Sequence, residues 1–243
     1  MIDQTLARAP GLLDHFKTIA SSLPELRRGI RKSEGFFIYA TIGPDFQGQI
    51  VESGRALGQS TELLARSYPD ARVVSIEREV GTPDANEALS RLKNVGNIAC
   101  LFGDSRVLLP ELTLPGDVVV IDGPKNIRAV KLGLEVIAKK KPRAVFIHDC
   151  RKGSFTRQFL DSHYAGRVFY SDDPQFVALS CQLDSHLPPE ELAQWSKVET
   201  QPKDRSYGGT FACLMGDAVR PGFKDAINLR LARWKQMLAK SDD

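Results

Sequence analysis

The sequence predicts an α/β protein with a mostly parallel sheet and helices on both faces, and three observations carry that prediction. Residues 50–77 read as a strand (Ile50-Val51-Glu52-Ser53), a turn containing Gly54 and Gly58, a helix over 62–68, and a second strand (Val73-Val74-Ser75-Ile76) closing on Glu77. Residues 117–121 and 144–147 are apolar runs of the kind that form strands buried on both faces of a parallel sheet. Between them, 127–139 carries Val130, Leu134 and Ile137 at helical spacing. Strand–helix–strand alternation of this kind imposes right-handed parallel crossovers.

The remaining elements follow from the same patterns. Residues 97–102 form a third strand ahead of Gly103-Asp104-Ser105. The runs at 117–121 and 144–147 end on Asp122-Gly123-Pro124 and His148-Asp149-Cys150. A helix over 155–164, a sixth strand over 167–170 and a seventh over 210–215, expected at an antiparallel edge, complete the sheet. Residues 1–45 are read as a helical cap of two amphipathic helices split near Pro24. Its buried face is assigned to Leu12, Leu13, Phe16 and Ile19-Ala20, and Phe36-Phe37-Ile38-Tyr39 is read as a strand or a lid. Residues 46–218 make the sheet domain, and 219–243 a C-terminal helix with the stripe Ile227, Leu231, Trp234, Leu238. A long insertion spans 171–209, with Pro188-Pro189, a helix over 190–197 and a Tyr207-Gly208-Gly209 turn. Residues 176–183 within its neighbourhood have the composition of a strand.

Open parallel sheets bind ligands beyond the carboxyl ends of their strands. Glu52, Glu77, Asp104, Asp122 and His148-Asp149 are all expected on that rim. Glycine in the first turn lets a ligand approach the backbone, because no Cβ intervenes. The helix after it presents free N–H groups. Glu77 at the end of the second strand is placed to accept hydrogen bonds from two vicinal ribose hydroxyls. That combination indicates a nucleoside cofactor. A dinucleotide fingerprint needs G-x-G-x-x-G, whereas only Gly54 and Gly58 are present, as G-x-x-x-G. A P-loop needs Gly-Lys-Ser/Thr, and Gly58-Gln59-Ser60-Thr61 lacks the lysine. Glu52, two residues before Gly54, would repel a pyrophosphate and suits a cationic or amino-bearing ligand.

On these residues the segment "ESGRALGQST" resembles motif I of the class I S-adenosylmethionine (SAM) methyltransferases, and is closest to the small-molecule O-methyltransferase-like branch. The resemblance covers roughly residues 48–216. It implies a Rossmann-like, seven-stranded, mostly parallel sheet with an antiparallel last strand, SAM as cofactor, and a small-molecule or sugar-like hydroxyl as acceptor. It implies that Glu52 and Gly54 approach the methionine moiety, that Glu77 binds the ribose, and that Asp104 and Ser105 sit at the adenine edge. Asp122 would line the cleft where the methyl group faces the acceptor, and Ser53, Gly58, Ser60, Thr61 and Arg78 complete the expected cofactor set. Two rivals stand beside this reading: an NAD-type oxidoreductase, and a non-catalytic relative whose bulky Arg55 and Leu57 crowd the turn.

Methyl transfer to a hydroxyl calls for alignment and a base. His148 is the base candidate because its ordinary pKa lies near neutrality, with Asp149 or Asp122 orienting it or acting in its place. The plainer readings are a hydrogen-bonded histidine at a strand end and an Asp-Gly-Pro turn. Catechol-type members of the family hold magnesium with one Asp after the fourth strand and an Asp-Asn pair after the fifth. Asp122 and Asp149 occupy comparable places, but Cys150 stands where the amide ligand would be. Magnesium prefers oxygen ligands, so a metal is not favoured.

Composition sets further bounds. The 243 residues are 42% hydrophobic, enough for one large domain, and 33 basic against 30 acidic residues leave a net charge of +3. That balance argues against a nucleic-acid partner. The basic clusters Arg27-Arg28 with Arg31-Lys32, and Lys139-Lys140-Lys141, read as solvated faces. Cys100, Cys150, Cys181 and Cys213 show no paired or zinc-like spacing, as expected of a reducing cytoplasm. No apolar run has membrane-spanning length. The C-terminal stripe is read as core packing, or else as a homodimer contact.

Overall fold

A computed structural model describes residues 2–24, 26, 29–184 and 210–238 of the chain. Its strands are β1 (Gln49–Ser53), β2 (Arg72–Glu77), β3 (Ile98–Phe102), β4 (Val118–Ile121), β5 (Ala144–Ile147), β6 (Val168–Tyr170) and β7 (Ala212–Met215). They form one seven-stranded sheet in the order β3-β2-β1-β4-β5-β7-β6. All neighbours from β3 to β5 pair in parallel, and β7 runs antiparallel to both β5 and β6. The seventh strand is therefore antiparallel as expected, but it is not the edge. Ala212, Cys213 and Leu214 are fully buried and apolar, so they suit an interior position. The edge falls to the three-residue β6, and a short edge strand offers little template for unwanted pairing.

The helices are α1 (Ile2–Ser21), α2 (Lys32–Ile42), α3 (Gln59–Ser67), α4 (Pro83–Leu92), α5 (Ser105–Leu112), α6 (Ile127–Lys140), α7 (Phe155–Tyr164), α8 (Pro174–Ser180) and α9 (Phe223–Leu238). Successive strand residues point to opposite faces, and this splits the core in two. Ile50, Val73, Val118, Val120 and Phe146 pack under α1, α2, α3 and α8. Val51, Val74, Val119, Ile121, Val145 and Ile147 pack under α5, α6, α7 and α9. None of the described helices is long and apolar enough to cross a membrane.

Three sequence expectations are corrected here. Phe36-Phe37-Ile38-Tyr39 is neither strand nor lid; it is the middle of α2, every residue of which is buried. A half-buried strand would bury alternate side chains only, whereas α2 lies between the sheet and the helices around it and its middle, Gly35 to Ala40, is buried on every side. Phe37 alone meets the rings of Phe146, Phe169 and Phe176 at centroid distances of 6.0, 5.7 and 5.3 Å. Residues 176–183 form α8 and a 3-10 turn (Cys181–Leu183), not a strand. Asp173 caps α8 by accepting from the Gln175 and Phe176 amides, and Pro174 opens its first turn. In the C-terminal helix, Leu229 and Ala232 face the core while Ile227, Leu231 and Trp234 are exposed; the side chain of Leu238 lies outside the described residues.

The buried face of α1 is Ala9, Leu13, Phe16 and Ala20, with Leu12 and Ile19 half-buried at its margin. Pro188-Pro189, the expected helix over 190–197, the Tyr207-Gly208-Gly209 turn and Arg27-Arg28 all lie outside the described residues.

Truncating Phe37 to Ala removes a ring with three aromatic neighbours from a site that is 0% exposed. The expected cost is about 3–5 kcal/mol in urea unfolding. A loss below ~1 kcal/mol would show that α2 is not part of the core.

Candidate functional site

The strand order reverses between β1 and β4, and at such a switch point the two crossover connections leave on opposite faces of the sheet and open a crevice. A cleft of about 290 Å³ lies there, lined by Gly54, Glu77, Arg78, Gly103, Asp104, Ser105, Gly123 and Pro124 among others. Each parallel strand from β1 to β4 contributes the residues just beyond its carboxyl end.

The cleft walls are built by short-range hydrogen bonding. The Glu77 carboxylate accepts the Ala56 amide at 2.9 Å and the Arg78 amide at 2.7 Å. A carboxylate has about four lone-pair sites, so it retains capacity for a ligand. Asp104 caps α5 by accepting the Arg106 amide at 2.9 Å and also pairs with the Arg106 guanidinium. The hydrogen bonds from Arg106 hold the Asp104 carboxyl down at about 2. The hydroxyls of Ser53 and Ser105 both donate to the Gly123 carbonyl, fixing the turn after β4. Gly54, at φ +89, sits so close to that turn that a Cβ would lie 2.9 Å from the Asp122 carbonyl carbon. Glycine is required here by the approach of two strand ends.

Several expected cofactor residues lie beneath the cleft. Glu52 is 1% exposed, and its Oε2 accepts the hydroxyls of Thr61 at 2.5 Å and Ser75 at 2.7 Å. Burial raises its pKa, against the opposing pull of the Ser60, Thr61 and Ser75 hydroxyls. Ser60 and Thr61 are buried with it. The side of Gly58 that a Cβ would occupy faces Leu92 and Ala88 of α4, so this glycine lets two helices approach. Glu52, Ser53, Gly58, Ser60 and Thr61 thus support the turn from below and do not line the cleft, because β1 and the start of α3 are covered on every side. Arg55 also turns inward, donating to the carbonyls of Ser75 at 2.7 Å and Leu101 at 3.4 Å, with its guanidinium carbon 4.8 Å from the Phe102 ring centroid. It does not crowd the cleft.

Beside the cleft, the ends of β4 and β5 carry a chain of charges. His148 Nδ1 lies 2.6 Å from Asp122 Oδ1, and its Nε2 lies 3.2 Å from Glu34 Oε1. The other oxygen of Glu34 accepts the Arg31 amide at 2.8 Å and so caps the start of α2. Lys125 Nζ reaches Asp122 Oδ1 at 2.5 Å and Asp149 Oδ2 at 2.8 Å. Asp149 itself has φ +61, a left-handed turn residue that Asp tolerates better than most. Burial alone would lower the His148 pKa, but the charges of Asp122 and Glu34 and its hydrogen bonds to both outweigh burial and hold it well above 6.5. Asp122 shows the converse: burial raises its pKa, yet His148 and Lys125 bring it down to about 2.

This geometry favours the plainer reading of His148, a hydrogen-bonded histidine at a strand end. Both ring nitrogens face carboxylates, and in the doubly protonated form that its raised pKa favours, the imidazole donates at each end and has no lone pair for a substrate proton. Glu34 was not singled out from the sequence; the available signal was an acid at the third position of α2, where a capping box places one. Cys150 is fully buried with its thiol pushed up to about 12, chiefly by burial, and is no ligand. Asp122, His148 and Asp149 each bring one donor atom within 4.8 Å of the others, close enough for a shared cation. The donor set does not fit magnesium: one of the three is a nitrogen already donating, and the two carboxylates already share the Lys125 ammonium.

No protein-family model matches the chain, and no curated protein matches it. Solved structures do resemble it. The C-terminal domain of precorrin-6Y C5,15-methyltransferase from Rhodobacter capsulatus aligns with a TM-score of 0.50 over 80% of this chain and 95% of that one, at 12% identity. The O-methyltransferase TomG from Streptomyces achromogenes, solved with SAM, aligns at 0.46 over 88% and 90%, with 23% identity. An O-methyltransferase from Bacillus cereus, solved with the demethylated product SAH, aligns at 0.47 over 87% and 90%, with 18% identity. With the first of these and the strand order above, the chain has the Rossmann-like fold of the class I methyltransferases.

Because folding raises the His148 pKa above its ordinary 6.5, the imidazolium's stabilisation is complete below that value. It is lost as pH rises through the folded pKa. An NMR titration of the ring should find it doubly protonated at pH 7, and Asp122→Asn should lower its pKa. A wild-type ring that titrates near 6.5 would remove the clamp.

Proposed function

We propose that this chain is a SAM-dependent methyltransferase acting on a hydroxyl of a small molecule. The observation that carries the reading is the cleft at the strand reversal, with a carboxylate at the end of β2 on one side and a charged rim on the other. The residues fit the cofactor. Glu77 has lone pairs left for a ribose diol, and Gly103, Asp104 and Ser105 offer a polar edge with backbone access for the base. When bound, SAM supplies a methyl group on a sulfonium already activated for displacement. A cationic sulfonium also suits a rim where Glu34, Asp122 and Asp149 outnumber His148 and Lys125.

The chain's own residues do the rest. Glu77 binds and orients the nucleoside. Asp149, 45% exposed and paired with Lys125 in the turn that follows the cleft-lining Pro124, takes the proton of the acceptor hydroxyl. His148 is a positioning residue, which fixes Asp122 against α2 through Glu34. Asp122 serves poorly as a base because its pKa is held near 2. Free Cys100, Cys150, Cys181 and Cys213 support a reducing compartment such as the cytoplasm.

Calorimetric titration with SAM and SAH, with NAD as control, tests the cofactor. Both sulfur nucleosides should bind, and Glu77→Ala should weaken them roughly 10- to 100-fold, the loss expected of charge-assisted hydrogen bonds. Binding of NAD alone, or of none of the three, would refute the proposal. Once an acceptor is found, Asp149→Asn should lower turnover by roughly 100-fold with SAM affinity retained. Full turnover in that variant would remove Asp149 as the base.

A further inference from the structure

The pair of carboxylates after β4 and β5 is spaced for a cation, and the chain supplies one of its own. Lys125 lies in the turn between β4 and α6, outside regular structure, and its ammonium bridges Asp122 Oδ1 at 2.5 Å and Asp149 Oδ2 at 2.8 Å. Those oxygens belong to the same three-residue group whose donor atoms lie within 4.8 Å of one another. The ammonium thus stands at the position from which a divalent ion would reach both carboxylates. We propose that Lys125 is the built-in cation of this rim, taking by covalent attachment the place of a divalent metal and keeping such metals out.

Three physical arguments support this. A tethered ammonium is present at high effective concentration beside both carboxylates, whereas a free ion must be captured from solution. Magnesium sheds its water reluctantly and wants an octahedron of oxygens. Here the third donor is His148 Nδ1, 2.6 Å from Asp122 and 3.5 Å from Asp149, which presents a proton and not a lone pair. Charge balance gives the third. Glu34, Asp122 and Asp149 are offset by His148 and Lys125, which leaves one net negative charge. Without the lysine the cluster carries two, the charge that a divalent ion neutralises.

The inference concerns the rim alone and is read with no methyl donor present, so it stands or falls apart from the proposed reaction. Manganese(II) is titrated into the full chain and bound ion is followed by electron paramagnetic resonance, for wild type, Lys125→Met, Lys125→Arg and Lys125→Met with Asp149→Asn. Lys125 is half exposed, so these changes leave the core untouched. Wild type and Lys125→Arg should show no site that depends on Asp149. Lys125→Met should gain one, about tenfold or more tighter than any wild-type binding, because a positive charge within a few ångströms of the ion has gone. The double variant should lose it again. A wild-type chain that binds one manganese through Asp149 would overturn the proposal. So would a Lys125→Met chain that gains no site, or a Lys125→Arg chain that binds as Lys125→Met does.

Discussion

Parallel pairing of β1 with β4 is the constraint on which the rest of the molecule depends. The pairing sets Ser53 opposite Ile121, so the residues that follow each strand, Gly54 and Asp122-Gly123, meet at once. Because the chain reverses its strand order here, α3 after β1 and α6 after β4 must cover opposite faces, and nothing covers the gap between their starts. The cleft is the geometric remainder of that arrangement. Its tight floor is secured by two serine hydroxyls on one carbonyl and by a glycine whose Cβ would collide with the neighbouring backbone.

Polar burial beneath the cleft serves the same end. Glu52, Thr61 and Ser75 tie β1, α3 and β2 together with short hydrogen bonds inside the core. Arg55 ties the turn to the carbonyls of β2 and β3. Buried polar groups are costly unless paired; these pairs brace the turn, although Glu52 Oε1 and Arg55 Nε and Nη2 are buried without a hydrogen-bond partner among the described residues. Their chemistry looks functional in the sequence because it is polar and close to a glycine turn, and in the fold the same groups brace that turn.

Electrostatics at the other side of the rim follows one order, from Glu34 through His148, Asp122 and Lys125 to Asp149, with alternating sign. Each cation is held between two carboxylates. That alternation raises the His148 pKa, depresses that of Asp122, and leaves Asp149 as the solvent-facing end of the series. It also fastens α2 to the sheet rim, so the N-terminal helices contribute to the site through one buried side chain.

The sequence by itself determined the elements whose signal is local. The apolar runs at β4 and β5, the helical spacing of α6, the span of α7 and the Gly54–Glu77 unit were all legible, because each is set by the period of its own side chains or by a turn that needs glycine. Two helices, α4 and α5, were not recognised: α4 has a mostly polar sequence with three buried residues, and α5 contains Pro110. The identity of Phe36–Tyr39 as helix, the interior place of β7 and the outward turn of the C-terminal stripe were decided by tertiary packing, since a short apolar run satisfies either period until its neighbours are known. The same holds for the site. Glu77, Asp104 and Asp122 were visible as strand-end acids, but which acids line the cleft and which lie under it depends on the register of β1 against β4. Whether His148 accepts or donates a proton depends on Glu34, 114 residues away in sequence, and only the folded chain brings that charge to its ring.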